Sequence, residues 1–191
     1  DEIMTNKSVT AKLVLDGAGG PYTIVNNGGS DSYTFEHNGE FTFIYEDKNS
    51  NRGFATAKVG IIDKEVPKLQ ILANTVRPTR ENVIITVTYS DNVGVKNVSH
   101  NMEPEKITST ASGFTYICTD NKEISVTVTD AAGNSITKNF IVDYIDKEAP
   151  TGTITYTPNS ITNRNVRAVL TLNEPTKILN NNGKAEYVFT Q

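Results

Sequence analysis

The chain has 191 residues, and its 18 basic and 22 acidic side chains give a formal net charge of −4. The basic residues are scattered among acidic ones, which argues against nucleic-acid binding because no stripe of positive charge is available to neutralise phosphates. No apolar run approaches the length of a membrane-spanning helix, and the size favours two or three small domains over a single large one.

Predicted strands recur along the whole chain. Apolar and polar side chains alternate in three segments that begin at Val9, Val83 and Val166. This period-2 pattern, rich in Val, Ile, Thr and aromatic residues, predicts half-buried β-strands. Turn sequences rich in Asn, Asp and Gly separate the strands and occupy residues 26–29, 91–94, 130–134 and 180–183. No stretch has apolar residues at helical spacing, so we predict no helix longer than one turn.

One part of the sequence is duplicated. Residues 38–67 align without a gap on residues 121–150, and the linker aspartates Asp63 and Asp146 give the constant offset of 83 (146 − 63 = 83). The alternation is kept while the apolar residues change: Phe41, Phe43 and Tyr45 become Ile124, Val126 and Val128. A repeat that keeps its period and its linker but changes its core residues indicates a duplicated folding unit.

A second match extends the repeat to both ends of the chain. The segment from Met4 resembles the segment from Ile161, and the segment from Pro21 resembles the segment from Pro175. Together the matches divide the chain into three predicted modules: 1–66, 67–149 and 150–191. We expect the middle module to be complete, the first to lack its first strand, and the third to be truncated before its last two strands. Such ends suggest that copies join by end-to-end strand exchange, with residues 151–157 as the donated strand.

A module of about 80 residues with about seven short strands is typical of a Greek-key sandwich of the immunoglobulin type. The predicted fold class is therefore all-β, as tandem immunoglobulin-like Greek-key β-sandwiches with incomplete terminal modules. Three motifs, DNVGV at 91–95, TVTDAAGN at 127–134 and IDKEAP at 145–150, resemble the tandem bacterial Ig-like repeats of Gram-positive cell-surface and secreted proteins. The resemblance covers nearly the whole chain and implies an extracellular location, at the cell surface or secreted.

Four acidic residues form the candidate site. In an Ig-type sandwich two of the loops and the incoming linker lie at the same end. We therefore expect Asp63 and Glu65 of the linker to meet Asp91 and Asp130 of the loops where the first two modules join. Hard oxygen ligands gathered in this way suit Ca²⁺. The alternative is that these residues serve only their turns, since Asp tolerates the left-handed region and caps its own backbone.

We predict no catalytic residues. His37 and His100 are the candidate imidazole bases, and they lie in different modules. No Cys, His and carboxylate cluster has the short spacing of a zinc site. The single cysteine, Cys118, shares a strand face with Phe114 and Tyr116 and is expected to be a buried hydrophobic residue.

The sequence favours a non-catalytic structural spacer or stalk whose partners are the neighbouring modules of a bacterial surface or secreted protein. Two alternatives stay open. The chain could be an adhesin or a carbohydrate-binding module that grips a glycan or a host protein, or an accessory part of a secreted glycoside hydrolase. No nucleic acid, no membrane span and no cofactor other than Ca²⁺ are expected.

Overall fold

The computed structural model describes residues 3–16 and 20–190 and consists mainly of antiparallel β-sheets, which confirms the predicted all-β class. Helical structure in these residues is limited to three single turns of 3-10 helix, as predicted. No helix in this part of the chain is long and apolar enough to cross a membrane. The chain divides into two compact units, Asp1–Ile145 and Asp146–Gln191. The predicted boundary between residues 66 and 67 lies within the first unit and stays a prediction.

The first five strands are β1 (Val9–Lys12), β2 (Thr23–Ile24), β3 (Ser32–Phe35), β4 (Gly39–Glu46) and β5 (Arg52–Val59). They form two sheets, with strand orders β1-β3 and β2-β4-β5. Phe35 of β3 and Phe43 of β4 are buried, and the ring of Tyr33 stacks on the ring of Phe41 with centroids 3.8 Å apart. Alternate residues of a strand share one face, so these rings form an aromatic layer between the two sheets.

The next seven strands are β6 (Lys68–Ala73), β7 (Val83–Ser90), β8 (Val95–His100), β9 (Ile107–Thr110), β10 (Gly113–Cys118), β11 (Lys122–Asp130) and β12 (Ser135–Val142). They form a four-stranded sheet of order β6-β7-β10-β9 and a three-stranded sheet of order β12-β11-β8, in which all pairs are antiparallel. The two sheets share one core, whose central residues are Val83, Ile85, Val87, Phe114, Tyr116, Cys118, Ile124, Val126 and Val128. The arrangement is sandwich-like, and the predicted burial of Cys118 is confirmed.

The three predicted alternating segments form strands of different length. The second and third are the full strands β7 and Val166–Leu172. The first ends at Lys12, and Leu13 adds only one backbone hydrogen bond, donated by its N–H to the carbonyl of Asp31 over 2.7 Å. Val14 is 81% exposed. Within residues 3–16 and 20–190, the ladder with β3 ends at the pair of Lys12 and Ser32, although the alternation in the sequence continues to Leu15.

Gly113 allows two strands of the four-stranded sheet to come very close. It begins β10 with a φ of +155°, and a Cβ atom there would collide with the carbonyl oxygen of Val87 in β7. A side chain is therefore excluded by both the backbone conformation and the neighbouring strand.

Two asparagines that repeat in the sequence also make the same contacts. The Asn38 side chain donates to the Ile62 carbonyl over 2.8 Å and accepts from the Ile62 N–H over 2.8 Å. Asn121 forms the same pair with Ile145, over 2.9 and 2.8 Å. Each bidentate contact, which we call an asparagine clamp, holds the backbone of the first residue of one of the repeated IDKE linkers. The clamps therefore fix the point at which each linker begins.

The second unit is a single antiparallel sheet of three strands, β13 (Gly152–Thr157), β14 (Val166–Leu172) and β15 (Glu186–Phe189), in that order. The strand register places apolar side chains together on one face, which we call the open face. Its main members are Ile154, Tyr156, Val166, Ala168, Leu170, Tyr187 and Phe189. The aromatic members of this face are about half exposed.

Candidate metal centre

The loop after β7 positions Asp91. The carboxylate Oδ1 of Asp91 accepts a hydrogen bond from the N–H of Val93 over 2.9 Å, which is the bond an aspartate makes at the start of a turn. The loop after β11 joins this turn, because the N–H of Ala131 donates to the carbonyl of Gly94 over 3.0 Å. The two loops are therefore fixed to each other.

Asp130 closes β11 and organises the second loop. Its Oδ1 accepts hydrogen bonds from the N–H groups of Gly133 and Asn134, over 2.6 and 2.8 Å, and its Oδ2 accepts from the Asn134 side chain over 2.8 Å. Asp47 and Asn51 form the equivalent turn after β4, where the carboxylate is more exposed. The turn accounts for the hydrogen bonds of Asp130 but not for its complete burial.

The linker is tied to the ends of both sandwich-like halves of the first unit. The N–H of Asp63 donates to the Thr5 carbonyl over 2.9 Å, and the Asn134 side chain donates to the Asp63 carbonyl over 3.0 Å. A further backbone bond runs from the N–H of Asn6 to the carbonyl of Ala132 over 3.1 Å. These bonds hold the linker against the second loop.

The result is a cluster of three carboxylates. One carboxylate oxygen each of Asp63, Asp91 and Asp130 lies within 4.8 Å of the others. Asp130 is completely buried, Asp63 is 6% exposed, and Asp91 is half-buried. Negative charges this close and this shielded repel one another strongly unless a cation balances them.

Asp63 carries the most informative atom of the cluster. Its Oδ1 accepts from the Asn92 side chain over 3.2 Å and from the Glu65 N–H over 3.3 Å. Its Oδ2 is buried and has no hydrogen-bond partner. The neighbouring ammonium of Lys64 is turned to Glu36, at 3.2 Å, which gives it an ion-pair partner outside the cluster. A buried carboxylate oxygen without a donor is costly in a protein and is the kind of atom that a metal ion binds.

Burial and hydrogen bonding act in opposite directions on Asp130. Desolvation raises the pKa of this carboxyl group, but hydrogen bonds from the side chain and N–H of Asn134 and from the N–H groups of Gly133 and Ala132 outweigh it. The pKa of Asp130 is therefore lowered, which keeps the group ionised and able to act as an oxygen ligand.

Three of the four predicted ligands come together and one does not. Asp63, Asp91 and Asp130 form the cluster, whereas Glu65 is exposed and stands outside this group of three. The backbone of Glu65 contributes instead, because its N–H donates to Asp63. The bond is of the same kind as the one between Asp91 and the N–H of Val93.

Two asparagines also support the cluster, and sequence reasoning treated them only as turn residues. Asn92 binds the Asp63 carboxylate, and Asn134 binds both Asp130 and the backbone of Asp63. The repeated spacing of Asp47 to Asn51 and of Asp130 to Asn134 is the signal that could have indicated the role of Asn134 in its turn.

A second polar group lies at the rim of the core. The Tyr116 hydroxyl donates a short hydrogen bond to Glu103, whose other oxygen is 2.9 Å from the Lys122 ammonium. The hydrogen bond from Tyr116, with that from Lys122, lowers the pKa of Glu103 to about 2. Burial, with the bond to Glu103, raises the pKa of Tyr116 to about 12. These directions stabilise the ion pair, and neither group is shifted towards neutral pH, where an acid or a base works best.

The chain has no match among models of known protein families, and no curated protein matches it.

Proposed function

We propose that the chain is a non-catalytic structural spacer of tandem immunoglobulin-like modules in a bacterial cell-surface or secreted protein, with Ca²⁺ bound where the first two modules meet. The observation that carries this proposal is the cluster of Asp63, Asp91 and Asp130, with one buried carboxylate oxygen that has no hydrogen-bond donor.

Strand order supports the immunoglobulin-like part of the proposal. Seven-stranded immunoglobulin domains place strands A, B, E and D in one sheet and C, F and G in the other. Lettering β6 to β12 as A to G turns the orders β6-β7-β10-β9 and β12-β11-β8 into A-B-E-D and G-F-C. This agreement concerns residues 67–149, the module that the repeat pattern predicts to be complete.

The ligand chemistry favours calcium. All three side chains offer carboxylate oxygens, and neither Cys nor His belongs to the cluster. Ca²⁺ accepts six to eight oxygen ligands in flexible geometry, so that waters and nearby carbonyls can complete the shell. Mg²⁺ demands a near-ideal octahedron and keeps several of its waters, which suits a cluster assembled from a linker and two loops less well.

The position of the cluster gives the ion a mechanical role. Asp63 belongs to the linker, whereas Asp91 lies in the loop after β7 and Asp130 ends β11 of the following sandwich-like half. An ion bound to all three would fix the linker to both loops and oppose bending there. Stiffness at a joint is what a spacer needs to hold a distance.

Calcium titration of the chelator-treated chain tests the proposal. We expect saturable Ca²⁺ binding with one ion per chain by calorimetry, and a higher melting temperature in Ca²⁺ than in EDTA. At a free Ca²⁺ concentration of about one hundred times Kd, the unfolding free energy rises by about 2.7 kcal/mol. The matched control is Asp146→Asn, which alters the aspartate of the other linker and should leave binding intact. Absence of both binding heat and a melting shift would refute the calcium proposal.

A further inference from the structure

The two units contain the same aromatic pair in the same geometry. The rings of Tyr33 and Phe35 in β3 have centroids 4.9 Å apart at an interplanar angle of 77°. The rings of Tyr187 and Phe189 in β15 also lie 4.9 Å apart, at 71°. The residues opposite them in the ladder are alike too: Val9 and Ala11 for the first pair, Val166 and Ala168 for the second.

The two pairs differ in what covers them. In the first unit β4 lies over the pair, with Phe41 stacked on Tyr33 at 3.8 Å, and Phe35 is only 4% exposed. In the second unit Phe189 is 52% exposed. The same aromatic pair is therefore covered in the first unit and uncovered in the second. The aromatic side chains of β4, which cover the first pair, indicate what kind of surface would cover the second.

The open face has the composition of a buried surface. Ile154, Tyr156, Tyr187 and Phe189 are each about half exposed, which leaves on the order of 400 Å² of their surface available for burial. The charged pair of Arg167 and Glu186 is assigned to the opposite side of the sheet by the strand alternation. An apolar patch of this size is often functional, and it matches an apolar partner better than a charged one.

We propose that the open face binds a β-hairpin that carries alternating aromatic residues in the pattern of β4 and β5. The hairpin lies face to face on the sheet, as β4 lies on β1 and β3, and its aromatic side chains stack on Tyr187 as Phe41 stacks on Tyr33. The facing surfaces of two packed sheets interdigitate in this way and exclude water. The proposal is independent of the calcium site, which involves other residues.

A peptide of this chain is a suitable probe. Residues 38–61 contain β4 and β5, and the peptide would carry a fluorophore at one end. The full chain is titrated into it while anisotropy is measured. We expect saturable 1:1 binding, and hydrogen exchange should slow in residues 166–172 and 186–189. A control peptide in which both Phe41 and Phe43 are replaced by Ser should bind at least about tenfold more weakly.

Matched variants of the full chain locate the binding surface. Ala168→Lys places a charge between Tyr156 and Tyr187 on the open face, and should weaken peptide binding by about tenfold or more. Val169→Lys places the same charge on the opposite side, beside Glu186, and should leave binding unchanged. Circular dichroism of both variants checks the fold, and the two peptides test the proposal even if Ala168→Lys unfolds the sheet.

Three results would overturn the proposal. The first is no binding of the peptide, or equal binding of the control peptide. The second is protection confined to residues 9–12 and 32–35, which would mean that the peptide replaces β4 in the first unit. The third is a dimer of the chain alone, seen by sedimentation, that Ala168→Lys dissociates and Val169→Lys does not. In that case the occupant is a second copy of the chain.

Discussion

Replacing Asp63 by asparagine should stabilise the first unit without calcium and abolish most of its response to calcium. Two unit charges 4.8 Å apart repel by about 3.5 kcal/mol at an effective dielectric constant of about 20. Asp63→Asn removes this repulsion towards both Asp91 and Asp130. The new amide also provides a donor where Oδ2 now has no partner.

The stabilisation by Asp63→Asn is smaller than the full repulsion, because the unmodified cluster can relax and reduce the repulsion among its carboxylates. Small movements of the linker and of the loops separate the charges and relieve part of this repulsion. We therefore expect a net stabilisation of about 1 to 3 kcal/mol in EDTA. For a unit of this size, that is a rise in melting temperature of roughly 3 to 10 °C.

Differential scanning calorimetry of the full chain, in EDTA and in Ca²⁺, measures both effects. Asp146→Asn is the matched control, because the Asp146 Oδ1 accepts from the Glu148 N–H over 3.0 Å much as Asp63 accepts from Glu65, but Asp146 is exposed. The control should change little in either buffer. The reasoning is refuted if Asp63→Asn lowers the melting temperature in EDTA, or if it keeps the full calcium response.

Three further predictions concern the asparagine clamps, the hydrophobic core and Tyr116. Asn38→Ala and Asn121→Ala should each lower the unfolding free energy, measured by chemical denaturation, by about 1 to 3 kcal/mol. The reason is that each asparagine clamp provides hydrogen bonds for two part-buried backbone groups. A loss below about 0.5 kcal/mol would contradict this role. Ile124→Ala should lower the unfolding free energy by about 2 to 5 kcal/mol, because it leaves a cavity in the core. Ile141→Ala, at a side chain that is 62% exposed, should lower it by less than about 1 kcal/mol. Equal losses from the two variants would contradict the assignment of Ile124 to the core. Tyr116 should ionise only near its raised pKa of about 12. The stability that its protonated form contributes is therefore complete below about pH 10 and is lost as the pH rises through 12. An alkaline absorbance titration in which every tyrosine ionises near pH 10 would contradict this prediction.

Alternation was the part of the sequence that predicted structure best. The buried rows of β7, β10 and β11 follow directly from apolar residues at every second position, because such residues share one face of a strand. Strand length was not predictable in the same way. The first strand stops at Lys12 because a ladder needs a neighbouring backbone, and side-chain pattern carries no information about that neighbour.

The candidate site was predicted in position but not in detail. Topology brings the linker and two loops to one end, which explains why Asp63, Asp91 and Asp130 meet. Glu65 was expected with them because it belongs to the same short linker. The N–H of Glu65 donates to Asp63, as the second residue after an aspartate commonly does in a turn, and the Glu65 side chain is exposed. The partnerless oxygen of Asp63 depends on the positions of all its neighbours and lay beyond the sequence altogether.

The turn shared by Asp47–Asn51 and Asp130–Asn134 bears on how such arrays evolve. The same two hydrogen bonds from asparagine to aspartate form an exposed turn in the first case and one side of an acidic cluster in the second. The two repeats that contain this turn share its hydrogen bonds, so the difference between them lies in the carboxylates that Asp63 and Asp91 bring to Asp130. The same turn can therefore be kept in each repeat while ion binding is set separately at each joint by the residues around it.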